Sequence, residues 1–381
     1  MVALYQPGET IHIGRPRGGV RLGGGWVPTF LLRDDFLTDA SAPLASPRTA
    51  EPGPGTLTFV DTASQLSIAG GEIVPSAQTA GALDPLIHMA GYARQAGRVF
   101  TARVKRVSAF AGNDASPQMG WATAAGGGIS TYTGLIFVAS SMNILRYSAT
   151  STATGIVAAS DAFYNFHFIL RSTGSFVIVG NTLEWVENAG SNATMYPAIA
   201  ASAASRMPAG VDTFRVLDLP APFNSDFGLA TQRLAGSVAA GTTFTHEANC
   251  VIEWTQTTVP SAGETEVFIR VQDASNYWRV MVTSAGTFIL YEVVAGTPTS
   301  RASAATVVSN GHRIVIVADG TTIRGYSNNV LRWTYSSASN FATETDGELD
   351  ALGTGGAVSD VVAWPRTLSG VAAAYLNAAV A

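Results

Sequence analysis

Two short stretches of this chain carry residues able to do chemistry. The first is Asp346-Gly347-Glu348-Leu349-Asp350-Ala351-Leu352-Gly353. On a strand, alternate residues face one side, so Glu348 and Asp350 project together, with Asp346 two residues before them. Such acids can serve a glycoside-cleaving pair, or supply oxygens to a hard cation such as Ca²⁺, or form a solvated acidic loop. The second is Asp273-Ala274-Ser275-Asn276-Tyr277-Trp278. Here an acid, an amide and two rings meet at the corner between a loop and a strand. Sugar sites use this mixture: flat rings lie against the sugar, and carboxylates or amides take its hydroxyls. The same residues also suit packing at a strand start. Asp273, Asn276, Tyr277 and Trp278 are the candidate carbohydrate contacts, and Asp346, Glu348 and Asp350 are weak Ca²⁺ candidates.

Other chemistry is poorly represented. The five histidines, His12, His88, His167, His246 and His312, are scattered, with no i,i+4 metal pair, and read as structural. The single cysteine, Cys250, lies in the apolar phrase Cys250–Trp254 and cannot pair within the chain; it reads as a small buried hydrophobe. No Gly-x-Ser-x-Gly elbow occurs, and the N-terminal glycines do not spell a phosphate loop. No cofactor is expected.

The elements that position these residues are strands. Asn310–Trp333 reads as strand, Asp319-Gly320 turn, strand, Asn328-Asn329 turn, strand; both turns use residues that accept positive φ. Asn165–Trp185 repeats the phrase. His167 to Trp185 is 18 residues, Ile314 to Trp333 is 19, and one gap sets Leu183-Glu184-Trp185 against Leu331-Arg332-Trp333. Trp185 and Trp333 therefore read as core residues. Arg98–Val107 is echoed by Asn249–Thr257, and Val211–Leu219 by Ala357–Trp364, each ending at a proline. The chain thus holds one β domain twice: an arm over residues 1–30, a first β-sandwich over 31–220, and a second over 221–381 closed by a short C-terminal helix, Ser369–Ala378, with Ser369 as its cap.

Bulk properties narrow the partners. A chain of 381 residues allows two domains. Charged residues make up 13%, about half the usual share. Net charge is −5 with no basic block, which speaks against a nucleic-acid partner. No apolar run reaches membrane-spanning length, and the N-terminus lacks a secretory pattern. The glycine-rich arm, with Arg15, Arg17 and Arg21, reads as an attachment or oligomerisation segment, or as a segment folded back on its own domain.

Three phrases together resemble the concanavalin A-like, laminin G-like sandwich domains. They are Asp34–Gly71, with its Asp-x-Phe and Leu-x-Ile-x-Gly-Gly ends; Ile314–Trp333; and Val358–Ser369 leading to a helix. The resemblance implies an all-β fold of two tandem jelly-roll β-sandwiches. Jelly-roll glucanases similar to this fold carry Glu-x-Asp-x-(x)-Glu, and Leu352 and Gly353 stand where the last Glu would be, so the resemblance implies no catalysis. Within that fold the layout looks most like virion proteins of tailed bacteriophages. This implies a homo-oligomeric, non-enzymatic tail or baseplate appendage, assembled in the host cytoplasm, joined to other virion subunits through residues 1–30 and contacting host surface glycans. A capsid decoration or cement protein is the alternative, and a polysaccharide hydrolase the second alternative.

Overall fold

The structure is a computed structural model. It describes residues 28–42, 44–60, 66–75, 86–88, 91–105, 117–124, 132–138, 141–145, 151–157, 162–171, 175–187, 193–201, 210–220, 230–368 and 370–380. Residues 1–27 of the arm and the cap Ser369 lie outside them. The chain divides into two compact units, Met1–Asp226 with Leu368–Ala381, and Phe227–Thr367.

The first unit carries β1 (Phe30–Asp34), β2 (Arg48–Thr49), β3 (Thr56–Val60), β4 (Leu66–Ala69), β5 (Glu72–Pro75), β6 (Leu86–His88), β7 (Tyr92–Ala93), β8 (Arg98–Lys105) and β9 (Pro117–Ala122). It continues with β10 (Tyr132–Val138), β11 (Ser141–Leu145), β12 (Ser151–Val157), β13 (Phe163–Leu170), β14 (Ser175–Val179), β15 (Thr182–Glu187), β16 (Thr194–Ala201) and β17 (Val211–Asp218). One sheet runs β15-β14-β13-β8-β17-β5-β4, with β1 also on β17; the other runs β12-β11-β10-β9-β16-β6-β3-β2, with β7 on β16. Phe100, Phe166, Phe168 and Trp121 are fully buried, and the Trp121 indole N–H reaches across from one sheet to donate to the Phe168 carbonyl of the other at 2.7 Å.

The second unit carries β18 (Gln232–Val238), β19 (Thr242–Thr245), β20 (Cys250–Thr258), β21 (Glu264–Asp273), β22 (Asn276–Thr283), β23 (Phe288–Val294) and β24 (Thr297–Ala304). Then follow β25 (His312–Asp319), β26 (Thr322–Ser327), β27 (Val330–Tyr335), β28 (Asp346–Ala351) and β29 (Ala357–Pro365). Its sheets are β18-β29-β20-β25-β26-β27 and β19-β28-β21-β22-β23-β24. Their facing sides share one core that includes Trp254, Trp278, Ile314, Leu290 and Leu349. Burial alternates as a sheet face on a core requires: in β22, Trp278, Val280 and Val282 point in while Tyr277 and Arg279 point out. Each unit is thus built on an antiparallel jelly-roll β-sandwich. The orders β15-β14-β13-β8-β17-β1 and β27-β26-β25-β20-β29-β18 correspond, as do β12-β11-β10-β9-β16-β6 and β24-β23-β22-β21-β28-β19.

The local reasons are those of turn chemistry. Asn328 and Asn329 take φ of 48° and 64°, and Gly320 takes 54°, which close the two hairpins of β25, β26 and β27. At Gly325 an added Cβ would meet the Trp333 ring at 2.3 Å, so only glycine leaves the indole room to pack on the sheet. Cys250 is fully buried and its thiol is pushed up to about 12 by that burial, which makes it a core residue and a poor nucleophile.

The helix is a correction. The sequence assigns it to the close of the second sandwich; α1 (Gly370–Val380) instead belongs to the first unit and packs on β8 and β17. Arg215 explains the docking: its Nη1 donates to the Ala379 carbonyl at 3.0 Å, while Asp35 holds its Nη2 at 2.6 Å. Ahead of the helix, the Leu368 amide donates to the Asn181 carbonyl at 2.7 Å. An unmatched helix end gains the partner it lacks, and Leu376 and Ala379 are buried.

Candidate functional site

The two chemistry-bearing stretches converge on one sheet face of the second unit. Glu348 pairs with Phe268 across β28 and β21, and Phe268 pairs with Arg279 across β21 and β22. Outward on these strands stand Glu266 and Phe268, Tyr277 and Arg279, and Glu348 and Asp350. The Phe268 and Tyr277 rings stack with centroids 4.2 Å apart at 22°. Arg279 Nη1 binds Glu266 at 3.0 Å, and its guanidinium lies over the Tyr291 ring at 4.6 Å. A depression of about 320 Å³ opens here, lined by Glu266, Phe268, Asp273, Tyr277, Glu348 and Asp350. A second, of about 410 Å³, is lined by Gln232, Thr243, Thr245, Asp346 and Glu348. The two share Glu348 and Val271 and form one groove over β19, β28 and β21.

A β-bulge shapes this groove. The register shifts between Ile269 and Asp273, and Arg270 takes φ of 50°. Side-chain alternation breaks there, which turns Arg270 inward and sets Val271 in the groove wall. His246 Nε2 lies 3.2 Å from the Arg270 amide and 3.1 Å from the Asp346 carbonyl, and Nδ1 lies 2.8 Å from the Glu247 carbonyl, so the ring is held by three backbone groups. Burial lowers the His246 pKa, while the carbonyl contacts to Glu247 and Asp346 oppose that shift. His246 is therefore structural, as the sequence suggests. Arg270 is fully buried; its Nε and Nη2 share the Ala248 carbonyl at 3.2 and 2.9 Å, and Nη1 has no hydrogen-bond partner among the described residues. Burial without a carboxylate partner is costly. Arg270→Met is expected to stabilise the second unit by about 1–4 kcal/mol in urea unfolding; a loss of that size would show that the carbonyl contact outweighs the desolvation.

The charge states follow from these contacts. Burial raises the Glu266 pKa; Arg279 opposes this, while Asp350 and Glu264 add to it. The Asn276 amide and the Ser275 N–H hold the Asp273 carboxyl below its usual range, so it stays ionised. Burial raises the Tyr277 phenol, which stays protonated.

Of the residues picked from sequence, Asp273, Tyr277, Glu348, Asp350 and Asp346 line the groove. Trp278 does not. It is fully buried, tilted against Tyr335 at 5.7 Å, and its Nε1–H donates to the Asn340 carbonyl at 2.8 Å. It is a core residue and no sugar contact. Asn276 is also occupied: Nδ2 donates to both Asp273 oxygens at 2.9 and 2.8 Å, and Oδ1 accepts from the Ala295 amide at 3.0 Å. It ties the β21–β22 hairpin to the turn after β23. The Ca²⁺ reading of Asp346, Glu348 and Asp350 is corrected too. They follow one another along β28 at every second residue, about 7 Å apart, and among the described residues no group of three or more His, Cys, Asp or Glu is gathered to hold a metal ion. Glu266, Phe268 and Arg279 were not picked out. Their signal was present: Glu266 and Phe268 alternate with the apolar Val267 and Ile269 in β21.

The sequence matches no protein-family model and no curated protein. Solved structures share its β architecture at low similarity. The galectin LEC-6 of Caenorhabditis elegans is 8% identical over 34% of this chain and 94% of its own, with a TM-score of 0.30. The CBM40 of the Ruminococcus gnavus IT-sialidase, bound to α2,3-sialyllactose, is 11% identical over 39% and 98%, with a TM-score of 0.28. The carbohydrate-binding module CBM66 from Bacillus subtilis is 12% identical over 35% and 96%, with a TM-score of 0.27. At these scores the likeness adds nothing to the reading of the groove.

Proposed function

We propose that this chain is a non-enzymatic, lectin-like glycan-binding protein whose second unit offers the groove over β19, β28, β21 and β22. The observation that carries this is the groove floor: a stacked Phe268–Tyr277 pair beside Asp273, Glu348 and Asp350 on an outward sheet face. An aromatic plane takes the apolar side of a sugar ring, and carboxylate oxygens accept from its hydroxyls. Binding without turnover is supported by Glu266. It is the groove carboxyl that burial raises, and Arg279 engages it at 3.0 Å instead of leaving it free to act as a proton donor. A shallow site of this kind is weak singly and gains from repetition.

The wider setting belongs to the same proposal. The chain is a tail or baseplate appendage of a tailed phage, homo-oligomeric in the virion, held to other virion subunits through residues 1–30 and presenting the sandwiches to host surface glycans. Low charge, one cysteine and 39 glycines support that setting. A glycan array probed with the chain and with Tyr277→Ala tests the binding. The wild type is expected to bind a discrete set of glycans and the variant to lose at least tenfold, about 1.4 kcal/mol. A wild type that binds none would favour the cement reading, and release of reducing sugar would favour the hydrolase.

A further inference from the structure

The lining of the groove also defines the charge of its ligand. Glu266 and Asp273 stand in the first depression, Asp346 in the second, Glu348 in both, and Asp350 in the first. Among the described residues no Lys or Arg lines either depression, and Arg279 on this face is spent on Glu266 and lies over Tyr291. Beside that ion pair, four further carboxylates, Asp273, Asp346, Glu348 and Asp350, therefore face a groove whose floor is an aromatic pair. They do not converge as a metal cage does, since Asp346, Glu348 and Asp350 are strung about 7 Å apart along β28. A single ion cannot neutralise such a row, whereas a chain of cations at intervals can.

We infer that the groove takes an amine-bearing polysaccharide, of the partly de-N-acetylated hexosamine type, threaded across both depressions with Glu348 at their junction, and that it rejects anionic glycans. The inference rests on the carbohydrate-binding reading above and adds the ligand class. Protonated amines gain from each ionised carboxylate, and Asp273 stays ionised in acid because Asn276 and Ser275 hold its pKa down. Uronic or sialic acid chains would place like charges against the row, which costs affinity and slows encounter.

The test is calorimetric titration of the full chain at pH 5.5 with three hexasaccharide probes: β-1,4-linked glucosamine, its fully N-acetylated counterpart, and galacturonate. Glucosamine is expected to bind at least tenfold tighter than the N-acetylated chain in about 0.1 M salt. That advantage should largely vanish in about 1 M salt, where the screening length falls from about 10 Å to about 3 Å. Galacturonate should give no binding. Glu348→Gln combined with Asp350→Asn should erase the ratio between the two hexosamine chains, whatever it removes from the affinity for each; both are outward-face, near-isosteric changes, and a thermal melt confirms folding. Equal affinity for the two hexosamine chains, galacturonate binding at comparable strength, or an advantage that survives the double variant would overturn the ligand class and leave the groove standing. Failure of all three probes together with an empty glycan array would remove the carbohydrate reading itself.

Discussion

Trp278→Ala is expected to cost the second unit about 3–5 kcal/mol, the range for emptying a large core site. The side chain is fully buried among the residues of the two facing sheets, and its loss also strands the Asn340 carbonyl that now accepts at 2.8 Å. Against a total stability of about 5–15 kcal/mol, such a loss leaves the unit marginal. Its neighbour behaves oppositely. Tyr277 is half-buried on the outward face, so Tyr277→Ala gives up its stack on Phe268, about 0.5–1.5 kcal/mol, and leaves the core intact. Paired thermal melts and glycan titrations separate the two. Trp278→Ala should melt early, and Tyr277→Ala should melt near wild type and bind poorly. A stable, non-binding Trp278→Ala would return the indole to the site.

The second large effect is acid lability of the first unit. His167 sits fully buried in β13 on the face that also carries Thr101 and Arg215. Thr101 Oγ1 donates to the Phe166 carbonyl at 3.0 Å, so its oxygen accepts from His167 Nδ1–H at 2.9 Å. Nε2 is left as an acceptor with no partner among the described residues. Burial pushes the pKa from 6.5 down to about 3. Between those values the unfolded chain binds the proton and the folded chain refuses it, so stability rises with pH across the window. It is whole above pH 6.5 and falls as the pH drops toward 3, by roughly 5 kcal/mol at 1.36 kcal/mol per unit. Hydrogen-exchange protection factors at β8 and β13, corrected for the intrinsic pH dependence of exchange, should fall as the pH drops through that window, and His167→Leu should flatten the slope. A slope unchanged in the variant would assign the lability to other groups.

Much of the architecture was readable because its causes are local. Asn328-Asn329 and Asp319-Gly320 fix their hairpins by backbone conformation alone, and the phrases at Asn165–Trp185 and Asn310–Trp333 fold as the meanders β13-β14-β15 and β25-β26-β27. The site was half readable. Tyr277, Asp273, Glu348 and Asp350 lie together, but Trp278, a candidate contact by residue type, lies on the other face with Val280 and Val282, two and four residues on. Period-2 counting along β22 would have found this. The bulge at Arg270 is different: an inserted residue resets alternation in β21, and nothing in Phe268–Asp273 announces it. The docking of α1 was not readable either. It depends on Arg215, 164 positions away from its partner Ala379, and distant pairings leave no local mark. His167 reads as structural in sequence, yet among the described residues its Nε2 has no partner, because its surroundings come from strands far apart in the chain.

The most direct test of the glycan-binding groove is hydrogen–deuterium exchange of the whole chain with and without the glycan that binds best on the array. Protection confined to β19, β28, β21 and β22 is the predicted result. Protection elsewhere in the chain, with these four strands unchanged, would contradict it.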